Sequence, residues 1–295
     1  MLFYCYLTPI KILGRETELA EQERLKYSNN FIKSRRWILT KNVSITEKIF
    51  LVNNGLYRLT ADDLIKGVIA GILDENDSAI DVGVADGRFL DVMRDMIVSG
   101  KVLGFEPSPN FYSQLIERYK DKKNVKIEDC ALFDKSGTEK FYLYDNNWFE
   151  SGLSERKDRM RGDSNVDNGE CIEFLVKVRR LDEYIDYFEN LKFIKIDAES
   201  AEMNILLGSR EIINKFRPVI IVEFGDGVKY FNHKTSELYD FVESTDYFLC
   251  DIFGSIFKTE KDWNKYLPCI TWDYLLIPKE RYEEYVKKIR EGIFN

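Results

Sequence analysis

The chain has 295 residues, 44% hydrophobic and 32% charged, which fits one or two globular domains and excludes a disordered tail or a membrane bundle. Lys and Arg number 43 against 51 Asp and Glu, a formal charge of -8 with the signs interspersed, so no broad basic face for nucleic acid is expected. The five cysteines (Cys5, Cys130, Cys171, Cys250, Cys269) form no CxxC pair and His233 is the one imidazole, which excludes a zinc finger and a disulfide scaffold and fits a reducing, cytoplasmic setting.

Residues 1–13 are apolar and aromatic but lack a basic flank and a small-residue cleavage site, and they are too few to span a bilayer. They read as an element packed on the body or on a partner subunit, which makes a homodimer a reasonable expectation. Residues 16–73 are rich in helix formers, with Leu56, Leu59, Leu64 and Ile69 at helical spacing. The chain therefore divides into a helical N-terminal extension over 1–74 and a main domain over 75–295.

From Ser78 onward, short apolar runs alternate with amphipathic segments, which predicts an α/β domain with a mainly parallel sheet. A strand over 79–82 meets a glycine-containing turn and a helix through 89–98, ended by Gly100. A strand over 101–105 leads to a helix from Asn110 with Phe111, Leu115 and Tyr119 on one face, then a strand over 124–128. Residues 138–144 and 172–178 alternate as paired strands around a long polar loop of the kind that is usually functional or mobile. Then come a strand over 191–196, a helix over 199–216, strands over 219–222, 247–252 and 271–277, and a charged helix over 279–290.

Four motifs sit at predicted strand ends, where open α/β sheets bind ligands. At the first, Ile80-Asp81-Val82-Gly83-Val84-Ala85-Asp86-Gly87-Arg88-Phe89, the glycines let backbone approach a ligand and Asp81 suits an ammonium group, although Gly83 and Gly87 would serve a plain turn equally well. At the second, Phe105-Glu106-Pro107-Ser108-Pro109, the Glu106 carboxylate can accept both hydroxyls of a ribose. The third, Glu128-Asp129-Cys130-Ala131-Leu132, offers Asp129 to an adenine amino group and the Cys130 backbone to a ring nitrogen. The fourth, Phe193-Ile194-Lys195-Ile196-Asp197-Ala198-Glu199-Ser200-Ala201-Glu202, puts Lys195 and Asp197 on one side of a strand and is followed by Val222-Glu223-Phe224. Glu199 and Glu202 open the next helix, where acids favour the positive end of its dipole.

Spacing then separates the cofactors. A dinucleotide fingerprint wants GxGxxG and a pyrophosphate on the helix N-terminus, whereas here three residues separate Gly83 from Gly87, and Asp81 and Asp86 flank the loop. Negative charge opposes a pyrophosphate and suits an amino group and a sulfonium. S-adenosylmethionine is the better fit and NAD the weaker.

On these motifs, residues 79–224 resemble the FkbM family of S-adenosylmethionine-dependent methyltransferases, matching its DVGANxGxF, FEP and KIDVEGxE patterns in order. The resemblance implies a class I methyltransferase fold: a Rossmann-like, seven-stranded, mostly parallel sheet with helices on both faces and one antiparallel strand near the C-terminus. It implies action on a hydroxyl of a carbohydrate or polyketide. Its cofactor contacts would fall on Asp81, Gly83, Ala85, Gly87, Phe89, Glu106, Pro107, Asp129, Cys130 and Asp197. The chain departs from the family at Ala85, where Asn is usual, and at Ser200, where Gly is usual. Residues 147–154 are similar to the family's Ser-rich loop before the second hairpin strand, which points to substrate contact through Ser151 and Ser154.

Methyl transfer needs an aligned nucleophile and the exclusion of competing water, and a sugar hydroxyl needs a base as its proton leaves. Asp197, Glu199, Glu223 and His233 are the candidates. Lys195 and Tyr230, the latter beside Lys229 and Lys234, are candidates for substrate contact. Asp197 and Glu223 could hold Mg²⁺, though shaping the pocket is the simpler role, and no required metal is expected. The expectation is an O-methyltransferase acting on a sugar of a glycan, nucleotide sugar or surface polysaccharide precursor. The alternatives are a methyltransferase of another small natural product and a non-catalytic binding module that retains the fold.

Overall fold

In the computed structural model, the described residues are 61–146, 148–155, 170–265, 267 and 271–294. The element expected over 1–13, most of the helical stretch expected over 16–73, and the centre of the polar loop lie outside them. The chain order is α1 (Ala61–Ile72), β1 (Ala79–Val82), α2 (Arg88–Met96), β2 (Val102–Phe105), α3 (Pro109–Tyr119), β3 (Val125–Glu128), β4 (Cys130–Leu132), β5 (Gly137–Tyr144), β6 (Cys171–Arg179), β7 (Phe193–Ile196), α4 (Glu202–Leu207), α5 (Arg210–Phe216), β8 (Val219–Glu223), α6 (Glu237–Ser244), β9 (Tyr247–Cys250), α7 (Glu260–Lys265), β10 (Asp273–Pro278) and α8 (Tyr282–Phe294).

Seven strands form one sheet in the order β3-β2-β1-β7-β8-β10-β9. All run parallel except β10, which is antiparallel to both of its neighbours. The strands β1, β2, β7 and β10 are buried along their whole length, so their apolar residues do not alternate with exposed polar ones, and Asp81 and Lys195 are enclosed within them. This is the expected seven-stranded, mostly parallel sheet with a reversed strand near the C-terminus.

One face of the sheet packs against α1, α2, α3 and α8 through residues such as Leu64, Leu90, Leu115 and Ile289. The other packs against α4, α5, α6 and α7 through Ile205, Ile213, Phe241 and Trp263, and against a second sheet of order β4-β6-β5. Helix α1 buries Leu64, Ile65, Val68, Ile69 and Ile72, one stripe of a helix, and carries Asp62 and Asp63 in its first turn. It meets α8 glycine to glycine: a Cβ on Gly67, Gly71 or Gly292 would collide with the facing backbone.

The helix expected over 199–216 is two helices. It breaks at Gly208 and Ser209 because the chain passes directly over the Phe133 backbone there, and a Cβ on Gly208 would overlap the Phe133 carbonyl. The strand β4 was not expected. It follows β3 after the single residue Asp129 and pairs with β6 instead of continuing in the main sheet.

The strand order reverses direction between β1 and β7, which lie side by side in register from Ala79 against Phe193 to Val82 against Ile196. The carboxyl ends of these strands and of β2 and β8 therefore open on a common crevice, where such sheets place their ligands.

Candidate active site

A cleft of about 750 Å³, open to solvent, occupies that crevice. Its walls come from the β1 turn (Gly83, Ala85), the end of β2 and start of α3 (Glu106, Pro107, Ser108, Phe111), β4 (Ala131, Leu132), the end of β7 and the turn after it (Asp197, Ala198, Glu199), and the segment 148–155.

Glycine is required at position 83. Its φ is 77°, and a Cβ would overlap the Asp197 carbonyl, so the ends of β1 and β7 can touch only through a bare backbone. Two residues on, Ala85 has φ 49°, a left-handed conformation that Asn adopts more readily than Ala. That turn aims the Ala85 N–H at Glu106 Oε2 at 2.8 Å, while the Ser108 N–H reaches Oε1 at 2.8 Å. Each carboxylate oxygen thus accepts one backbone bond and keeps a lone pair. Burial pushes Glu106 up to about 7 despite those two donors.

Beneath the turn lies Asp81, 0% exposed, with no hydrogen-bond partner for either oxygen among the described residues. Its nearest counter-charge is Lys195 Nζ at 3.9 Å. Burial pushes Asp81 up to about 7, opposed by the Lys195 ammonium. Lys195 is 1% exposed, lies over the Phe89 ring at 4.8 Å and bonds Asp197 Oδ2 at 3.0 Å. Burial alone would lower its pKa, but Asp197 and Asp81 outweigh that and hold it above the ordinary lysine value.

Carboxylates crowd the other end of the cleft. One oxygen each from Asp197, Glu199 and Glu223 lies within 4.8 Å of the others, a set that could hold a cation. Burial, then the negative charge of Asp197 and Glu199, drives Glu223 well above the usual carboxylate range, and a hydrogen bond joins it to Asp197. Asp273, paired in register with Glu223, is also pushed up to about 7 by burial and by Asp197. The turn that carries Glu199 is strained, with φ 53° at Glu199 and 95° at Ser200. Glu202 holds it from below: its buried Oε1 accepts the N–H groups of Ala198 and Ser200, each at 3.0 Å.

The segment 148–155 forms the third wall. Gly152 pairs with Tyr142 of β5 through N–H···O bonds of 2.9 and 3.1 Å and packs on Glu199. Ser151 Oγ accepts the Tyr144 N–H, and Trp148 stacks edge-on to Phe111 at 4.7 Å.

Of the expected residues, the structure gathers Gly83, Ala85, Glu106, Pro107, Ser151, Asp197 and Glu199 around the cleft, with Glu223 against the last two. Others stand outside its walls. Gly87 starts α2, and Phe89 packs in the core beneath Lys195. Asp129 points outward to Lys177 at 2.9 Å, Cys130 is buried beside Tyr184 with its thiol pushed up to about 11 by burial, and Ala131 and Leu132 line the cleft instead. Lys195 is sealed under the cleft, too deep for the expected substrate contact. His233 Nδ1 bonds Glu237 at 2.8 Å, and neither it nor Tyr230 reaches the cleft wall. Ser154 is 9% exposed behind Leu153. Sequence reasoning did not single out Ser108, Phe111, Trp148 or Asp273 for the site, although Ser108 lay in the Glu106 motif and Trp148 in the segment 147–154 that resembles the family's substrate loop.

A reversed strand beside six parallel ones, a glycine turn at the switch point and a buried carboxylate at the next strand end define a class I methyltransferase fold. The chain belongs to the FkbM methyltransferase domain family, whose model matches residues 81–249. Among solved structures it is similar to a methyltransferase FkbM from Methylobacillus flagellatus KT, with 15% identity and a TM-score of 0.43 over 85% of this chain, and it spans 60% of that chain's length. It is also similar to fibrillarin from Aeropyrum pernix, solved with natively bound S-adenosyl-L-methionine, at 12% identity and a TM-score of 0.38 over 72% of each chain. A precorrin-6y C5,15-methyltransferase from Geobacter metallireducens GS-15 aligns at 10% identity and a TM-score of 0.37, over 65% of this chain and 74% of that one. No curated protein matches significantly.

Proposed function

We propose that the protein is an S-adenosylmethionine-dependent O-methyltransferase whose acceptor is a neutral hydroxyl-bearing molecule, a sugar of a glycan or of its precursor. The observation that carries the reading is Glu106: a buried carboxylate at the end of β2, oriented through both oxygens by backbone N–H groups and lining the cleft beside Gly83. A carboxylate so placed accepts the two hydroxyls of a ribose without having to be ordered first. The Asp81 carboxylate buried beneath the turn and the acidic surroundings suit a cationic cofactor and oppose a pyrophosphate. The cofactor, when bound, supplies an electrophilic methyl group.

The chain's own residues then receive the acceptor. Asp197 and Glu199 line the cleft as carboxylates able to take the hydroxyl proton, with Glu223, its pKa raised by burial, packed against them. His233, bonded to Glu237 away from the cleft, is not needed. The crowding of acids at this end disfavours a phosphate-bearing acceptor, so within the sugar reading a neutral glycan is preferred to a nucleotide sugar. Lys195 already balances part of the charge, and no divalent cation is required. A cytoplasmic setting goes with this reading. No helix among the described residues is long and apolar enough to cross a membrane.

The test is calorimetric titration with S-adenosylmethionine and with NAD. S-adenosylmethionine is expected to bind and NAD to fail, and Glu106→Ala should weaken the former by about 100-fold, the loss of two charge-assisted hydrogen bonds. Labelled methyl transfer to neutral glycans should survive chelation of divalent cations. Binding of neither cofactor would remove the catalytic reading and leave a scaffold of the same fold.

A further inference from the structure

Trp272, 42% exposed, is the one exposed aromatic ring among the described side chains, although its neighbours Phe224, Asp273 and Tyr274 are all buried. A single exposed apolar side chain is ordinary on a protein surface. The fold makes room for this one. A Cβ on Gly225 would strike Cζ3 and Cε3 of the indole, so the ring rests on bare backbone there, at a glycine whose extended φ of -167° any residue could adopt. The backbone that carries the ring is held as well: the Phe224 N–H donates to the Trp272 carbonyl at 2.8 Å, and the Thr271 hydroxyl accepts the Asp273 N–H at 3.1 Å. The indole is thus positioned before any ligand arrives.

Because β10 runs opposite to the other strands, its first residues lie at the carboxyl end of the sheet, over which the cleft opens. Asp273 pairs with Glu223, whose carboxylate lies within 4.8 Å of those of Asp197 and Glu199, and Trp272 is the next residue outward. With strands about 5 Å apart and residues about 3.3 Å apart along each, the Trp272 backbone stands about 6 Å from that of Glu223. Trp272 itself is not part of the cleft wall. A group lying on its ring is therefore beside the reacting group and not the reacting group itself.

We propose that Trp272 is a stacking platform for a second sugar ring of the acceptor, the neighbour of the ring that is methylated, so that the acceptor is a glycan of at least two residues. The inference rests on the sugar reading above. An indole face carries the negative side of the ring quadrupole, and the C–H groups on the flat face of a pyranose are its complement. The contact needs no charge. That suits a neutral acceptor at an end of the cleft where Asp197, Glu199 and Glu223 oppose an anionic one.

The experiment measures methyl transfer to the methyl glycosides of glucose, galactose, mannose and N-acetylglucosamine, and to the disaccharides built from each, in wild type, Trp272→Tyr, Trp272→Leu and Trp272→Ala. In the wild type, KM is expected to be about tenfold lower for the disaccharide of the accepted series, the effect of one aromatic stack. Trp272→Leu keeps an apolar cover on Gly225 but no flat ring, and should bring the two KM values together, the change falling on KM and not on kcat. Trp272→Tyr should retain most of the preference. A wild type that does not prefer the disaccharide overturns the proposal, as does a preference that survives in Trp272→Leu. Loss of the preference in Trp272→Ala alone assigns the ring to covering Gly225 and overturns it too. Transfer to no sugar, with S-adenosylmethionine still bound in calorimetry, is a different result: it removes the sugar reading, and the platform with it.

Discussion

The two ends of the cleft hold their carboxylates by opposite means. At the β2 end, Glu106 is fixed by peptide N–H groups, partners that neither titrate nor change rotamer. At the β7 and β8 ends, Asp197, Glu199 and Glu223 crowd one another, and the buried Lys195 holds Asp197. The first arrangement keeps its geometry whatever the charge state of its neighbours. The second depends on how many protons it holds, which suits a site that must accept one.

Lys195→Met should separate the two ends most sharply. It leaves Asp81 and Asp197 without their buried cation, and breaking such a pair costs about 3–5 kcal/mol. Denaturant unfolding should show that loss and methyl transfer should fall with it, while the Ala85 and Ser108 bonds to Glu106 persist. An unchanged midpoint would mean the acidic end does not rely on the lysine.

A smaller effect comes from pH. Asp81, Glu106, Glu202 and Asp273 all have folded-state values raised to about 7, so the folded protein binds more protons than the unfolded chain between the ordinary carboxylate range and neutrality. Stability of the ligand-free protein should therefore be greatest on the acid side of that window, fall as pH rises through about 7, and level off above it. Cofactor affinity should move the other way, because ribose hydroxyls donate to an ionised Glu106. One released proton corresponds to about a tenfold gain between about pH 6 and pH 8. Titrations across that range would check both slopes, and parallel slopes would contradict the assignment.

The smallest effect sharpens the contrast in backbone terms. Ser200 has φ 95°, where the family usually has Gly, and Ser200→Gly should raise stability by about 1 kcal/mol in thermal melts. A loss instead would show that the Ser200 side chain, which a Cβ on Gly227 would strike, earns its strained place through that packing.

The sequence displayed the scaffold well because strands buried on both faces are written as short, mainly apolar runs, and a chemically distinctive residue lies in or just after each: Asp81, Glu106, Asp197, Glu223. The failures have local causes. Asp129 was misplaced because β3 gives way to β4 across that one residue, which turns its side chain outward to Lys177 and brings Ala131 and Leu132 round to the cleft. Alternation placed Lys195 on the side of Asp197, where it is, but in a strand buried on both faces that side lies under the cleft floor. Ser108 and Trp148 lie off the strands, and periodicity says nothing of such positions. The departures at Ala85 and Ser200 gain a meaning only from φ: both sites ask for a left-handed backbone, which explains the residue types usual there.

The glycine-to-glycine seam between α1 and α8 bears on the order in which the chain can fold. Gly67 and Gly71 meet Lys288, Gly292 and Ile293, so nearly the whole described chain lies between the two sides of the contact. Closing so long a loop is entropically costly and comes late. During synthesis, that glycine seam cannot close until α8 has emerged, and until then the side of α1 it covers stays open to other contacts.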